Sequence, residues 1–317
     1  MTIDSTDFAD LTEPFRRELI AHCYRMIGSV DEAEDLVQET YLRAWRSYAG
    51  FEGRSSIRTW LYQIATNTCL TALERRSRRP LPSGLGGPGI DHAPEGEVAW
   101  LQPIPDALVT AESEDPAAVA VSRESLRLAL VASVQHLPPR QRAVLLLREV
   151  LAFPATEVAE MLGTTTAAVK SALQRARATI EQIAPSADSV DEPDSPQARA
   201  VLDRYIAAFE NADAIALKEL LVHDAVLELP PSATWFDGGD AITCAVSGLG
   251  SPGDWRMTPI AANGQPGAAA YLRGSDGIYR AYAIVVLSTA ADTLTRIVVF
   301  GDPALFPTFG MPVELPA

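Results

Sequence analysis

Apolar residues near the start of the chain recur every three or four positions. Phe8, Leu11, Phe15, Leu19, Cys23 and Ile27 fall on one helical stripe that stops at Gly28, a residue suited to the left-handed end of a helix. Ser29 is placed to accept the free backbone N–H groups of a second helix, with Asp31 and Glu32 in its first turn where carboxylates favour the dipole. The apolar side of that helix is Ala33, Leu36, Val37, Tyr41, Ala44, Trp45 and Tyr48, and Asp35, Gln38, Glu39 and Arg43 face away. A third helix follows Ser55-Ser56, buries Ile57, Leu61, Ile64 and Leu73, and closes in Arg75, Arg76, Arg78 and Arg79 before Pro80.

Between Leu137 and Ile180 the same period supports two short helices crossing at a tight turn. Ala159, Gly163 and Val169 stand at the offsets that allow close approach, over Val158, Leu162 and Leu173. Thr165 caps the second helix, and Val169, Leu173 and Ala176 turn inward. Thr165, Thr166, Lys170, Ser171, Gln174, Arg175 and Arg177 are left as a face of hydroxyls, amides and cations, the groups that bind phosphates and read base edges. A solvated surface helix also carries charges, but here turn spacing, cap and basic face agree on a helix-turn-helix.

The last 120 or so residues change period. Val201, Leu202, Tyr205, Ile206 and Phe209 belong to a first helix, and Asp213 caps a second with Ile215, Leu217, Leu220 and Leu221. Strand patterns cover 225–229, 255–262, 268–273, 278–287 and 294–300, with a short helix over 240–249. The short turns at Asn263-Gly264, Ser275 to Gly277 and Ala290 to Asp292 imply a curved antiparallel sheet with helices on one face.

Charge sharpens the division. The net charge of −15 is uneven: residues 121–180 hold eight Lys or Arg against four Asp or Glu, and residues 81–120 hold seven acids, no Lys or Arg and several prolines. The basic share falls on the helix-turn-helix. The acidic strip reads as a linker, as does 185–196, which gives domains at 1–80, 121–184 and 197–317. Within the strip, Val98, Ala99, Trp100 and Leu101 either dock on a neighbour or sit in a flexible spacer, and its acids are placed to shield DNA-binding faces.

Cys23, Cys69 and Cys244 show no CxxC spacing, so they read as buried small residues in a reducing compartment, with no metal site and no cofactor. The acidic N-terminus and the lack of an apolar run near 18 residues make a soluble, cytoplasmic protein the expectation, with no membrane partner.

DEAEDLVQETYLRAW, SSIRTWLYQIATNTCLTAL and the arginine run resemble the second conserved region of an extracytoplasmic-function (ECF) sigma factor of the sigma-70 class. LPPRQRAVLLLREV and EVAEMLG…VKSALQRAR resemble the fourth. The resemblance implies that Asp35, Gln38, Glu39 and Arg43 face core RNA polymerase. It also places Arg58, Trp60, Gln63, Asn67, Arg75 and Arg76 at the opened minus-ten element, where aromatic and amide groups hold unstacked bases and arginines track the backbone. Tyr62 is of the same type as Trp60, and each is as suited to the core as to the unstacked bases. Ala172, Thr71 and Pro154 depart from the family pattern and bear on sequence preference rather than role.

The C-terminal order, with LLVHDAVLELPP and DPALFPTFGMP, resembles the SnoaL-like, nuclear-transport-factor-like cone, whose open end is a place for a small-molecule ligand. The fold class expected is thus two all-α sigma domains, the second with a helix-turn-helix, followed by an α+β cone domain with a curved antiparallel sheet. The function expected is a promoter-recognising initiation factor that binds core RNA polymerase and promoter DNA and performs no covalent chemistry. Two other classes compete: an isomerase or cyclase using His223, Asp224, Glu228, Asp237 or Asp240 as base, and a simple helix-turn-helix regulator, which needs no polymerase-docking helix.

Overall fold

Side chains that cap helices set the boundaries of the N-terminal elements. In the computed structural model, which describes residues 5–74, 79–89, 99–109, 123–183, 195–248 and 250–316, helices α1 (Ser5–Thr12), α2 (Arg16–Ile27), α3 (Val30–Ser47) and α4 (Ile57–Leu73) follow in order. Gly28 ends α2 at φ 78°, its N–H donating to the Tyr24 carbonyl at 2.7 Å. The Ser29 hydroxyl accepts from the Glu32 N–H, and the Ser56 hydroxyl from that of Thr59. Arg75, Arg76, Arg78 and Val98 lie outside the described residues.

Helices α5 (Leu128–Val134), α6 (Pro139–Leu145), α7 (Ala155–Met161) and α8 (Thr166–Ile183) follow, with a π-helical turn at Leu146–Val150 continuing α6. Two compact units form, the first from Met1–Arg79 and Leu108–Pro185 and the second from Pro80–Ala107 and Ser186–Ala317.

In the first unit α2, α3 and α4 pack against one another, with Leu19, Tyr24, Ile27, Val37, Leu61 and Ala65 buried. Cys23 and Cys69 are buried and free, and the Cys23 thiol, together with burial, pushes the Cys69 thiol well up. Cys244, by contrast, is exposed, contrary to the sequence expectation, because it lies on the outer side of a short amphipathic helix. Trp45 also departs from expectation: it is 41% exposed, its ring edge against Phe8 at 5.2 Å.

Helices α2 and α4 also meet the C-terminal helices of this unit. Gln135 Nε2 donates to the Arg25 carbonyl at 3.1 Å. The buried Arg142 guanidinium donates to the carbonyls of Met26, Gln135 and Leu137 and to Gln135 Oε1. Desolvation lowers its pKa to about 10, so the cation persists at neutral pH.

His22 is fully buried, with Nε2 2.9 Å from the Thr66 hydroxyl. Desolvation first, then the charges of Arg25 and Arg58, lower its pKa from 6.5 to about 3. The unfolded chain therefore binds a proton below pH 6.5 that the folded chain refuses until about pH 3, and stability falls as pH falls through that window. Between pH 7 and pH 5 the loss is about 2 kcal/mol. The His22→Gln variant should show a correspondingly flatter dependence in urea unfolding, and an unchanged slope would contradict this assignment.

The second unit carries α9 (Pro196–Glu210), α10 (Ala214–Leu220) and α11 (Gly239–Val246). Its strands are β1 (Leu221–Glu228), β2 (Trp235–Asp237), β3 (Trp255–Ala262), β4 (Gln265–Arg273), β5 (Tyr279–Ala290), β6 (Thr293–Phe300) and β7 (Glu314–Leu315). The sheet order is β2-β1-β6-β5-β4-β3, with β7 beside β5. All pairings are antiparallel except β1 with β6, which run parallel with Leu227 opposite Ile297. The antiparallel expectation therefore holds for the β3–β6 meander, and the one parallel pair arises where the chain's first strand returns beside its last long one. Helices α9, α10 and α11 cover one face over Leu202, Leu220, Ala225, Ile242, Val285 and Ile297.

Residues 80–89 and 99–107 lie on this same unit. Leu101 and Ile104 are buried, the Ile104 N–H donates to Asn263 Oδ1 at 3.0 Å, and the Asn263 N–H returns to the Ile104 carbonyl at 2.9 Å. Gly264 N–H donates to Asp106 Oδ1, Trp235 Nε1 to the Gly86 carbonyl, and Ser83 N–H to Glu228 Oε1 at 2.9 Å. Of the two readings of the Val98 to Leu101 patch, its described part is docked.

Candidate nucleic-acid and polymerase interfaces

The α7–α8 turn is built as its residues require. Gly163 sits at φ +58°, a backbone conformation that side chains disfavour, and the Thr164 N–H returns to the Ala159 carbonyl at 2.9 Å. The Thr165 hydroxyl accepts from the Ala168 N–H at 3.2 Å, as an N-cap should. Val169 and Ala176 are buried on the inner side of α8. Thr165, Lys170, Ser171, Gln174, Arg175 and Arg177 are exposed together, and Thr166 is half-buried. Arg175 donates to the Ser171 hydroxyl at 2.6 Å, whereas Arg177 is ion-paired at 2.7 Å with Glu149 of the π-helical turn that continues α6.

On α3, Asp35, Gln38 and Arg43 are exposed, Glu39 is half-buried, and Arg43 pairs with Glu39 at 2.6 Å. Leu42 is 51% exposed on the same stripe as Asp35 and Gln38, three and four residues apart along the helix. This apolar addition escaped the sequence reading because that face was assigned by its polar residues alone; its signal was a lone leucine at the helical spacing of Asp35 and Gln38.

On α4 the expected residues separate. Tyr62 is buried, its hydroxyl 3.1 Å from Glu18 Oε2, and belongs to the core. Arg58 donates to both Glu18 oxygens at 2.9–3.1 Å and lies 5.0 Å over the Phe153 ring. Asn67 Nδ2 donates to the Met161 carbonyl at 3.2 Å, and the Thr59 hydroxyl to Glu157 at 3.3 Å. Trp60, half-buried, packs on Phe51 at 4.8 Å, and Gln63 is half-buried. Phe153, Glu157 and Met161 thus cover part of the face that the sequence assigned to opened DNA. No sequence signal marks these contacts, which join residues some 90 positions apart.

The second unit holds an apolar cavity of about 150 Å³ between α9, α11 and the sheet. None of the five candidate bases lines it. Glu228, the last residue of β1, lies between Leu227 and Leu229, which line the cavity, so it points to the opposite face, where it meets Arg296 at 2.6 Å and Ser83. His223, Asp224 and Asp237 are exposed, and Asp240 is exposed and paired with Lys218 at 2.6 Å. Among the described residues no cluster of three or more His, Cys, Asp or Glu is placed to hold a metal, and no helix is long and apolar enough to cross a membrane.

Residues 11–79 match the family described as sigma-70 region 2, and residues 127–180 match sigma-70 region 4. The ECF RNA polymerase sigma factor SigG of Mycobacterium tuberculosis is 53% identical over 317 residues, covering 98% of this chain and 85% of that protein. SigJ of the same organism is 32% identical over 284 residues, covering 86% and 83%. The crystal structure of SigJ superposes with a TM-score of 0.62 at 24% identity, over 98% of this chain and all of that one, which shows a shared fold.

Proposed function

The chain belongs to the ECF sigma factors of the sigma-70 class, and from that premise we propose which residues carry promoter recognition and how the C-terminal unit takes part. The α8 face of Thr165, Thr166, Lys170, Ser171, Gln174 and Arg175 reads the minus-thirty-five element, with Arg177 joining once released from Glu149. The row Asp35, Gln38, Glu39, Leu42 and Arg43 on α3, exposed except for the half-buried Glu39, docks on core RNA polymerase. Arg58, Trp60, Gln63 and Asn67, with Arg75 and Arg76 beyond them in sequence, serve the opened minus-ten element. The protein acts in the cytoplasm, beside the polymerase.

The observation that carries this reading is the coexistence of the exposed basic α8 face with the polar α3 row. A simple helix-turn-helix regulator has no use for the second. In a size-exclusion experiment the full chain should co-elute with core polymerase, and the Asp35→Lys, Glu39→Lys double variant should not. A wild-type chain that runs apart from the polymerase would sink the proposal.

Opening must precede promoter binding. The centres of the two elements lie roughly 25 base pairs apart, about 85 Å of duplex, whereas a compact unit of this size spans about 40 Å. The bonds from Arg142 to Met26 and from Asn67 to Met161 therefore belong to a resting state.

The C-terminal unit holds the segment that joins the two sigma regions, which supports a regulatory role. None of the candidate bases faces the cavity, so the isomerase-type reading lacks its base there. Glu228 is the centre of the clamp, bridging Ser83 and Arg296. The Glu228→Ala variant should free residues 80–89, giving several-fold faster cleavage there by a dilute protease and altered run-off transcription. Unchanged cleavage and transcription would remove the clamp from the account.

A further inference from the structure

The cavity of the second unit has a composition that specifies its guest. Its walls are aliphatic and aromatic, from Leu227, Ile242, Met257, Val285 and Ile297 among others, and no charged side chain among the described residues lines it. Tyr205 and Phe209 on α9 meet at 5.0 Å, and Trp255 meets Tyr282 edge-on at 5.0 Å. Ala245 and Tyr282 both line the cavity and are exposed, which marks its mouth. Tyr205 is 1% exposed and lines the cavity. A guest atom that bonds its hydroxyl there makes a hydrogen bond shielded from bulk water, where such a bond is stronger than in water. Burial also pushes the Tyr205 phenol up, so it stays a neutral donor.

An apolar cavity of about 150 Å³ accepts a ring the size of benzene. Aromatic walls favour edge-to-face contact with an aromatic guest, and the lack of a counter-charge excludes ions. We propose that this cavity is a receptor site for a small uncharged aromatic molecule, of phenol or indole size, whose one polar atom bonds the Tyr205 hydroxyl. The proposal rests on the reading of the C-terminal unit as regulatory. The strands that wall the cavity through Leu227 and Ile297 hold the joining segment on their other face through Glu228 and Arg296.

The test is calorimetric titration of the full chain with phenol, indole, benzene and benzoate. Phenol and indole should bind saturably at one site, and benzoate at least tenfold more weakly. Tyr205→Phe should weaken phenol about fivefold and leave benzene unchanged. Ala270→Leu, which fills the cavity from β4, should abolish binding of every probe. No saturable binding of the neutral probes, or full binding by a folded Ala270→Leu protein, would overturn the proposal. Should Ala270→Leu fail to fold, the phenol-to-benzene ratio of Tyr205→Phe decides, and an unchanged ratio counts against the site. Run-off transcription on the same protein separates the two readings: an active chain that binds none of the probes loses the receptor site and keeps the sigma role, and a chain that binds them but does not initiate does the reverse.

Discussion

Replacing Lys170, Gln174 and Arg175 together by alanine is expected to weaken holoenzyme binding to the minus-thirty-five element by about a thousandfold, at about 1.4 kcal/mol for each side chain removed. All three side chains are exposed on one side of α8, while Val169 and Ala176 hold the helix from beneath, so the fold should survive. Two of the three are cations. The slope of log affinity against log salt should therefore shrink by about 2, which separates phosphate binding from a general loss of structure. Electrophoretic mobility shift of the holoenzyme over a salt series measures both. Arg177→Ala should cost less than Arg175→Ala, because Arg177 must first leave Glu149. Equal losses from the two would mean that the ion pair is not held in solution.

The second large effect is on stability. Arg142→Met should lower the stability of the first unit by about 3 kcal/mol, since it leaves the carbonyls of Met26, Gln135 and Leu137 buried without their donor. That corresponds to a fall in melting temperature of about 6–12 °C for a unit of this size, followed by near-ultraviolet circular dichroism. Arg140 is the matched control, exposed and two residues earlier on α6. Arg140→Met should shift the midpoint by no more than a degree or so, as surface changes do. If the two variants behaved alike, the union of the N-terminal and C-terminal helices in one unit would not hold.

Local chemistry was legible from the residues alone. Gly28, Ser29, Ser56, Thr165 and Asp213 stand where helices end or begin, because each solves a backbone problem within a few positions of itself. The strand pattern over 255–262 matches the observed bounds, and that over 294–300 comes within one residue, since period-two burial is also local. The basic face of α8 followed from the cap, which fixes the phase of the helix.

What the sequence hid was long-range. The pairing of β1 with β6 joins residues some 70 positions apart, and nothing in Leu221–Glu228 distinguishes a parallel from an antiparallel neighbour. The acidic, proline-rich strip read as a tether, because composition reports that it lacks a core of its own and not that Leu101 and Ile104 can borrow one. Arg58 and Asn67 looked like free DNA ligands for the same reason: Glu18, Phe153 and Met161, which engage them, are distant in sequence. Tyr62 and Trp60 illustrate the ambiguity of aromatics, one fully buried and one half-buried two residues earlier on the same helix.

The most direct test of the central claim is run-off transcription with purified core RNA polymerase on promoters selected from genomic DNA with the reconstituted holoenzyme. Core polymerase with the full chain should produce a transcript of defined start site, core polymerase alone should produce none, and the Lys170, Gln174, Arg175 triple variant should lose it. A full chain that binds core polymerase yet yields no defined start on any selected promoter would contradict the account.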